Sequence, residues 1–424
     1  MIRRHAEKLV LDGLRDRPVV LIHGARQTGK STLAQAVSAG RRRAQYVSLD
    51  DAVTLDAAQR DPQGFVEALD GPVVIDEVQR VPELFRAIKL AVDRKRRPGR
   101  FLLTGSANAL LVPRVSESLA GRIAIITLWP LSQGEIEGRR ESFVDALFGK
   151  VIPTPDAPPV PAADVFRRAL RGGFPEVVKM RSDVQRQAWF EHYSTAILQR
   201  DVRELANIEG LAELPRLLSL LATRSAALLN VADVSRSLGL PHTSLNRYLT
   251  LLETTFLIHT LPAWSSNLGQ RLVKAPKVVL CDTGLMTHLL AFDRRRLRRD
   301  PQLGGPLVES FVATEITKQL TWSRTRARLF HFRTHAGREV DLLLEDRPRR
   351  LVGIEVKASG AVSGADFAGL RALAELTGPR FHRGIVLYTG STQVPFGVNL
   401  HAVPMGALWQ WSKPPGTSRR RPSG

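Results

Sequence analysis

The chain has 424 residues, 43% of them hydrophobic and 24% charged, a balance that suits a globular protein of about two to four domains. No apolar run approaches the ~18 residues a membrane span needs, and residues 1–8 carry Arg3, Arg4, Glu7 and Lys8 with no apolar stretch behind them, unlike a secretory signal. The single cysteine, Cys281, excludes an internal disulfide and is expected to be a buried, reduced thiol, so the expected setting is cytoplasmic, with no membrane partner.

A formal net charge of +20 favours polyanionic partners such as nucleic acid. The excess of arginine over lysine has a second source, a GC-rich genome, so charge alone leaves nucleic acid as one of two explanations.

In chain order, apolar runs at 19–23, 45–50, 73–75 and 101–104 read as strands, with a helix over 31–39. Strands alternating with helices predict a parallel sheet covered on both faces. A Pro-rich stretch, 152–161, reads as a linker. Residues 163–259 are helical in pattern. Helices over 231–240 and 242–255 meet at Pro241, and strand-like pieces follow at 256–261 and 277–281, the order of a winged helix. Then come a helix over 306–320 and strands over 329–333, 339–345, 351–357 and 384–388. The tail from 413 is Pro, Gly, Ser and Arg and is expected to be disordered.

The first chemistry lies in Gly24-Ala25-Arg26-Gln27-Thr28-Gly29-Lys30-Ser31, which fits the phosphate-loop pattern G-x-x-x-x-G-K-[ST] with a strand before it and a helix after it. Glycines let backbone N–H groups approach phosphate, and the helix N-terminus adds a positive dipole. Lys30 is expected to reach the terminal phosphates, Ser31 to bind Mg²⁺, and Thr32 to complete the nucleotide-binding set. Val73-Val74-Ile75 then runs into Asp76-Glu77, acids at the carboxyl end of a buried strand. Asp76 is expected to hold Mg²⁺ and Glu77 to orient or deprotonate the attacking water. Beyond the strand at 101–104, Ser106 and then Asn108 are candidates to sense the γ-phosphate, with a helix cap as the plainer role. Arg122 is a candidate sensor or arginine finger, against solvated surface as the plainer role.

These segments together resemble a prokaryotic branch of the AAA-type ATPases fused to a C-terminal domain of unknown function. The resemblance rests on 24–31, Asp76-Glu77-Val78-Gln79-Arg80-Val81-Pro82-Glu83-Leu84-Phe85, Leu103-Thr104-Gly105-Ser106, Leu119-Ala120-Gly121-Arg122 and Pro130-Leu131-Ser132. Further on it includes Gly172-Gly173-Phe174-Pro175-Glu176, Arg200-Asp201-Val202, Ala275-Pro276-Lys277 and Cys281-Asp282-Thr283-Gly284-Leu285. It covers nearly the whole chain and implies ATP, rather than GTP, with Mg²⁺. It leaves the biological role open.

The helix after Pro241, in the place of a recognition helix, offers His242, Thr243, Ser244, Asn246 and Arg247. Asn and Arg can read base edges, but only one strong cation is present, and the resemblance implies a lid or protein-docking role, which fits better. In the last segment Glu309, Asp341, Glu355 and Lys357 resemble the restriction-endonuclease arrangement: an acid on a helix, Asp on a strand and E-x-K on the next. Residues two apart on a strand share a face, so Glu355 and Lys357 point to one site. Asp341 and Glu355 are expected to share Mg²⁺, with Lys357 stabilising charge on a phosphate.

The expected architecture is therefore α/β: a P-loop NTPase sheet (1–135), a linker and helical lid (136–215), a winged-helix-like region (216–300), an α/β nuclease-like domain (301–412) and a basic tail (413–424). Two function classes follow. One is an ATP-driven switch acting on nucleic acid through a nuclease-like domain. The other is a signalling or toxin–antitoxin-type ATPase whose last domain only binds protein or DNA. A homo-oligomer or a protein partner is compatible with both.

Overall fold

The computed structural model describes residues 2–42, 44–106, 119–154, 157–201, 211–267, 269, 271, 274–334 and 337–411. Asn108, Val202, the side chains of Arg200 and Asp201, and the tail from 413 lie outside the described residues.

The first layer is a five-stranded parallel sheet: β1 (Val19–Gly24), β2 (Gln45–Ser48), β3 (Val73–Asp76), β4 (Phe101–Ser106) and β5 (Ile123–Thr127), in the order β2-β3-β4-β1-β5. Every residue of β3 and β4 is buried, as continuous apolar runs in a doubly covered sheet require. One face packs on α1 (Ala6–Asp16) and α2 (Lys30–Val37), the other on α3 (Leu84–Arg94). Because β4 lies between β1 and β3, Ser106 sits between the phosphate loop and the acids that end β3.

The middle region is helical: α4 (Ala162–Arg171), α5 (Asp183–Ala196), α6 (Leu214–Thr223), α7 (Val231–Leu238) and α8 (His242–Thr254). An antiparallel pair follows, β6 (Ile258–Leu261) with β7 (Lys277–Leu280), and then α9 (Thr283–Leu289) and α10 (Arg294–Arg299). Helix α8 buries Leu245, Tyr248, Leu249, Leu251 and Leu252 and exposes His242, Thr243, Asn246 and Arg247.

The last region is a six-stranded mixed sheet built from β8 (Ala327–Arg333), β9 (Glu339–Asp346), β10 (Leu351–Lys357), β11 (Phe381–Tyr388), β12 (Val394–Gly397) and β13 (Leu400–Pro404). Its order is β12-β13-β11-β10-β9-β8. The long helix α11 (Gly304–Trp322) covers one face and α12 (Ala368–Thr377) the other. Helix α11 has no clean polar side. Its Glu315, Lys318 and Gln319 are buried, because the sheet lies on one side of it and the 131–133 segment on the other.

That second side forms a buried junction among segments far apart in sequence. Gly173 N–H donates to Asp282 (2.7 Å), and Leu131 N–H donates to the Gly173 carbonyl (2.7 Å). Gln133 N–H donates to Glu315 (2.9 Å), and the Lys318 ammonium donates to Glu315 (2.7 Å) and to the Leu131 carbonyl (3.1 Å). A Cβ at Gly172 would lie 2.1 Å from an Asp282 oxygen, and one at Gly173 would lie 2.2 Å from the Leu131 carbonyl oxygen. The Gly-Gly-Phe-Pro-Glu and Asp-Thr-Gly-Leu runs are thus explained by packing rather than by chemistry.

Candidate functional site

The phosphate loop leaves β1 at Gly24, whose φ of 151° and tight surroundings admit no side chain: a Cβ there would sit 2.3 Å from the Leu128 carbonyl oxygen. The loop then turns through Gln27 (φ 63°) and Gly29 (φ 91°) into α2. The Thr28 hydroxyl ties back to the Ala25 carbonyl (2.9 Å). From outside, Arg4 donates to the Thr28 carbonyl (2.6 Å) and the Trp129 carbonyl (2.7 Å) and pairs with Glu135 (3.1 Å), so the N-terminal segment braces the loop. The ammonium of Lys30 is buried and donates to the Gly24 (3.1 Å) and Ala25 (2.9 Å) carbonyls. Arg26, Gln27, Gly29, Lys30, Ser31, Thr32 and Glu77 line a cavity of about 240 Å³.

Across the cavity, Asp76 accepts from the hydroxyls of Tyr46 (2.7 Å) and Thr104. Burial, and then the bond to Asp76, raise the Tyr46 pKa, so it stays a neutral donor. Glu77 adopts the left-handed conformation (φ 58°), which costs an ordinary residue roughly 1 kcal/mol or more. Its N–H is held by the Thr104 hydroxyl (3.1 Å). Its carboxylate accepts from the Gln79 amide, which also donates to Ser106 (2.8 Å). Gln79 is a site residue that motif reading passed over, and its amide oxygen is buried with no hydrogen-bond partner. The donor set fits a magnesium nucleotide: a hydroxyl at Ser31, a carboxylate at Asp76 braced by two hydroxyls, and an ammonium on the loop that a phosphate can draw outward.

Ser106 therefore lies where the sequence reading places it. Arg122 does not. It precedes β5, which runs parallel to β1 with Val19 opposite Ile123, so it sits at the amino edge of the sheet, a strand length of about 16 Å from the loop. Its guanidinium pairs with Asp93 (2.6 Å) and donates to the Ala120 carbonyl (3.1 Å). As a sensor for its own chain's nucleotide it is out of place.

The loop and the strand before it touch the middle region. The Tyr193 hydroxyl on α5 donates to the Arg26 carbonyl at 3.5 Å. Phe256, held at φ 56° after α8, packs edge-on against His23 of β1 (5.2 Å) and Trp129 (5.5 Å). Burial, and then the charge of Lys30, push His23 down to about 4, so it is neutral at physiological pH.

In the C-terminal region, the Val356 N–H donates to Asp341 (2.8 Å), Lys357 lies 3.3 Å from Glu355, and Asp341 is near enough to Glu355 for its charge to raise the Glu355 pKa. Glu309 of α11 joins them. So does Lys277, from β7, a residue that the resemblance contained but that was assigned no role. Its ammonium lies 2.8 Å from Glu309, 3.0 Å from Glu339 and 3.8 Å from Asp341, and it is buried. Burial would lower its pKa, but the charges of Glu309 and Asp341 outweigh this and raise it, so Lys277 is a fixed cation. The Mg²⁺ expected on Asp341 and Glu355 does not fit this arrangement, because a protein ammonium already stands among the carboxylates. Among the described residues, no group of three or more His, Cys, Asp or Glu side chains has the geometry to hold a metal ion.

The cluster also predicts a pH dependence. Burial, then the charge of Asp341, push Glu355 up to about 8 and Glu309 up to about 7. The folded chain then keeps protons that the unfolded chain has lost, so stability falls as pH rises through these values. Buried His23, His259 and His331, each lowered to about 4, act oppositely, but only below their ordinary value of 6.5. From pH 6.5 to about 8.5 the melting temperature is therefore expected to fall, and Glu355→Gln is expected to flatten the fall. A flat wild-type profile would remove the raised carboxyls from the account.

A model of the AAA domain matches residues 16–137, and models of two domains of unknown function, DUF8612 and DUF4143, match 162–296 and 304–408. The chain is 33% identical over 404 residues to the uncharacterized protein Rv2008c of Mycobacterium tuberculosis and to the uncharacterized protein Mb2031c of Mycobacterium bovis, covering 95% of this chain and 83% of each relative. Among solved structures, the Walker-type ATPase PABY2304 of Pyrococcus abyssi aligns with a TM-score of 0.40 at 17% identity, over 68% of this chain and 96% of that one.

Proposed function

Because the chain belongs to the family of AAA-domain proteins that includes these two mycobacterial relatives, we propose that it binds ATP and hydrolyses it with Mg²⁺ at the 24–32 loop, and that the nucleotide state sets the posture of the middle and C-terminal regions. The observation that carries the reading is the convergence of Lys30, Ser31 and Glu77 on one cavity, with Asp76, next to Glu77 in sequence, held by Tyr46. Ser31 and Asp76 would hold Mg²⁺, which supplies charge neutralisation to the phosphates when bound. Lys30 would exchange its two loop carbonyls for phosphate oxygens. Glu77, steadied by Gln79, would take the proton of the attacking water. Nucleotide that draws Lys30 outward would relax the carbonyls on either side of it, and the contacts of Phe256 and Tyr193 lie next to that strand and loop.

Phosphate release is the test. Glu77→Gln is expected to keep ATP binding and to lower hydrolysis about 10²–10⁴-fold. A variant that turns over at the wild-type rate would place the base elsewhere.

For the C-terminal region we favour binding over cutting. The four residues Glu309, Asp341, Glu355 and Lys357 support a nuclease-like reading only in their order along the chain, and the Lys277 ammonium stands between Glu309 and Asp341. The net charge of +20 supports nucleic acid as the partner, and the helix pair α7–α8 followed by β6–β7 supports a winged-helix-like docking element. Hydrolysis that is the same with and without DNA or RNA would favour a protein partner instead. Arg122 could serve hydrolysis only across a boundary between two copies of the chain.

A further inference from the structure

A second cavity, of about 780 Å³, opens between α4, α5 and α10, within the size range of ligand sites. Seven of its lining side chains are arginines. Arg167 and Arg171 stand one turn apart on α4, and Arg181 and Arg186 flank the start of α5. Arg294, Arg295 and Arg298 come from α10, a helix with no buried residue. Two aspartates share the lining, and neither neutralises the group: Asp183 pairs with Arg186, and Asp293 caps its own helix by accepting from the Arg296 N–H (2.8 Å). Arg167 is paired with Asp164 (2.9 Å). Among the described residues, Arg171, Arg181, Arg294, Arg295 and Arg298 have no carboxylate within ion-pair distance.

Arg171 carries the argument furthest. Its Nε is buried with no hydrogen-bond partner. Burial, then the neighbouring Arg168, Arg167 and Arg186, push its pKa down to about 10. A buried donor without an acceptor costs about 1–3 kcal/mol, more when charged, and like charges held together add to that cost. Helix α10 meets the core through the partly buried Leu297, while Arg294, Arg295 and Arg298 are exposed and take no part in that packing.

We propose that this cavity binds a ligand presenting several phosphates in a row, with Arg171 at its base and the α10 arginines at its rim. Guanidinium forks match phosphate oxygens two at a time, and a row of phosphates satisfies several forks at once. The phosphodiester backbone of a single-stranded nucleic acid and a free polyphosphate chain share this chemistry. The proposal deepens the nucleic-acid reading above and rests on it for the first of these two sources, but it does not depend on ATP hydrolysis.

The test uses the full chain carrying Lys30→Ala, so that the phosphate loop does not compete for the probes. Fluorescently labelled 12-nucleotide DNA and RNA are titrated by anisotropy, and sodium tripolyphosphate is titrated by calorimetry and used as competitor. Arg294→Glu/Arg295→Glu/Arg298→Glu on exposed α10 is compared with Arg324→Glu/Arg326→Glu/Arg347→Glu, three exposed arginines elsewhere, which change the net charge equally. The expected result is a loss of roughly tenfold or more for the α10 variant and a much smaller loss for the control, with the difference shrinking as salt rises. Oligonucleotide binding that tripolyphosphate does not displace identifies the backbone as ligand, and tripolyphosphate binding alone identifies a free polyphosphate. Equal losses in the two variants would reduce the effect to net charge and overturn the proposal, as would no binding of either probe. Phosphate release by the Lys30-intact chain, measured in parallel, tells failure of this cavity from failure of the ATPase reading.

Discussion

Lys277→Met is expected to melt well below the wild type, by a loss on the order of 3–5 kcal/mol, the usual cost of breaking a buried ion pair from one side. The reason is the company the lysine keeps. Glu309 and Glu339 each lie within 3.0 Å of its ammonium and Asp341 within 3.8 Å, and without it these carboxylates face one another. Two remedies are open to them: they can take up protons, or they can take up a cation. The variant is therefore expected to regain stability near pH 5.5 and on addition of Mn²⁺, while the wild type gains nothing from the metal. Differential scanning calorimetry over a pH and Mn²⁺ series reads both effects. A Lys277→Met protein that melts with the wild type would show that the ammonium does not neutralise the cluster. DNA cleavage by the variant in Mn²⁺, absent from the wild type, would mark the site as a nuclease silenced by one side chain.

Lys30→Ala is expected to lower ATP hydrolysis about 10²–10³-fold, the typical cost of removing one preorganised charge-stabilising donor. The buried ammonium is the cation positioned to move from two loop carbonyls to the phosphates, a motion that needs no refolding of the loop. Arginine is expected not to rescue it, since a planar guanidinium does not reproduce the compact point charge that the Lys30 ammonium places on the Gly24 and Ala25 carbonyls. Single-turnover phosphate release would separate lost chemistry from lost binding, which equilibrium titration of ATP measures directly. Retention of more than a tenth of the wild-type rate by Lys30→Ala would remove Lys30 from the chemical step.

The sequence announces the phosphate site well because its chemistry is local. Gly24 to Thr32 is one continuous stretch from the end of β1 into α2, and Asp76-Glu77 sits at the end of the strand that aims it. The partners that finish the site are less visible. Gln79 reads as part of a run, Tyr46 as one more strand residue, and Arg4 lies 24 positions from the carbonyl it holds. Arg122 was misplaced for a definite reason: the short edge strand behind it, Ile123–Thr127, is half exposed and escapes a pattern search for buried strands. Once that strand is seen to run parallel to β1, the arginine before it must fall at the far edge.

The C-terminal cluster shows the same divide. Glu355 and Lys357 are two apart on one strand, so their shared face follows from the pleat. Lys277 comes from another sheet, 64 residues before Asp341 in sequence, and no local pattern ties it to carboxylates. The arginines of the second cavity were hidden for the opposite reason. In a chain this rich in arginine, six more on three helices and one in the loop before α5 do not stand out until the helices are assembled.

The junction where Gly173 meets Asp282 and Leu131 meets Lys318 bears on inheritance. Four distant stretches of chain supply its donors and acceptors, and each is buried only because the others are present. Exchanging the C-terminal half between two relatives would therefore carry Asp282, Glu315 and Lys318 away from the Gly172-Gly173 turn and the Leu131 carbonyl they were matched to. A chimera joined anywhere between residues 174 and 281 is expected to fold only when both parents share these contacts. The three regions can diversify on their surfaces, but they descend as one unit.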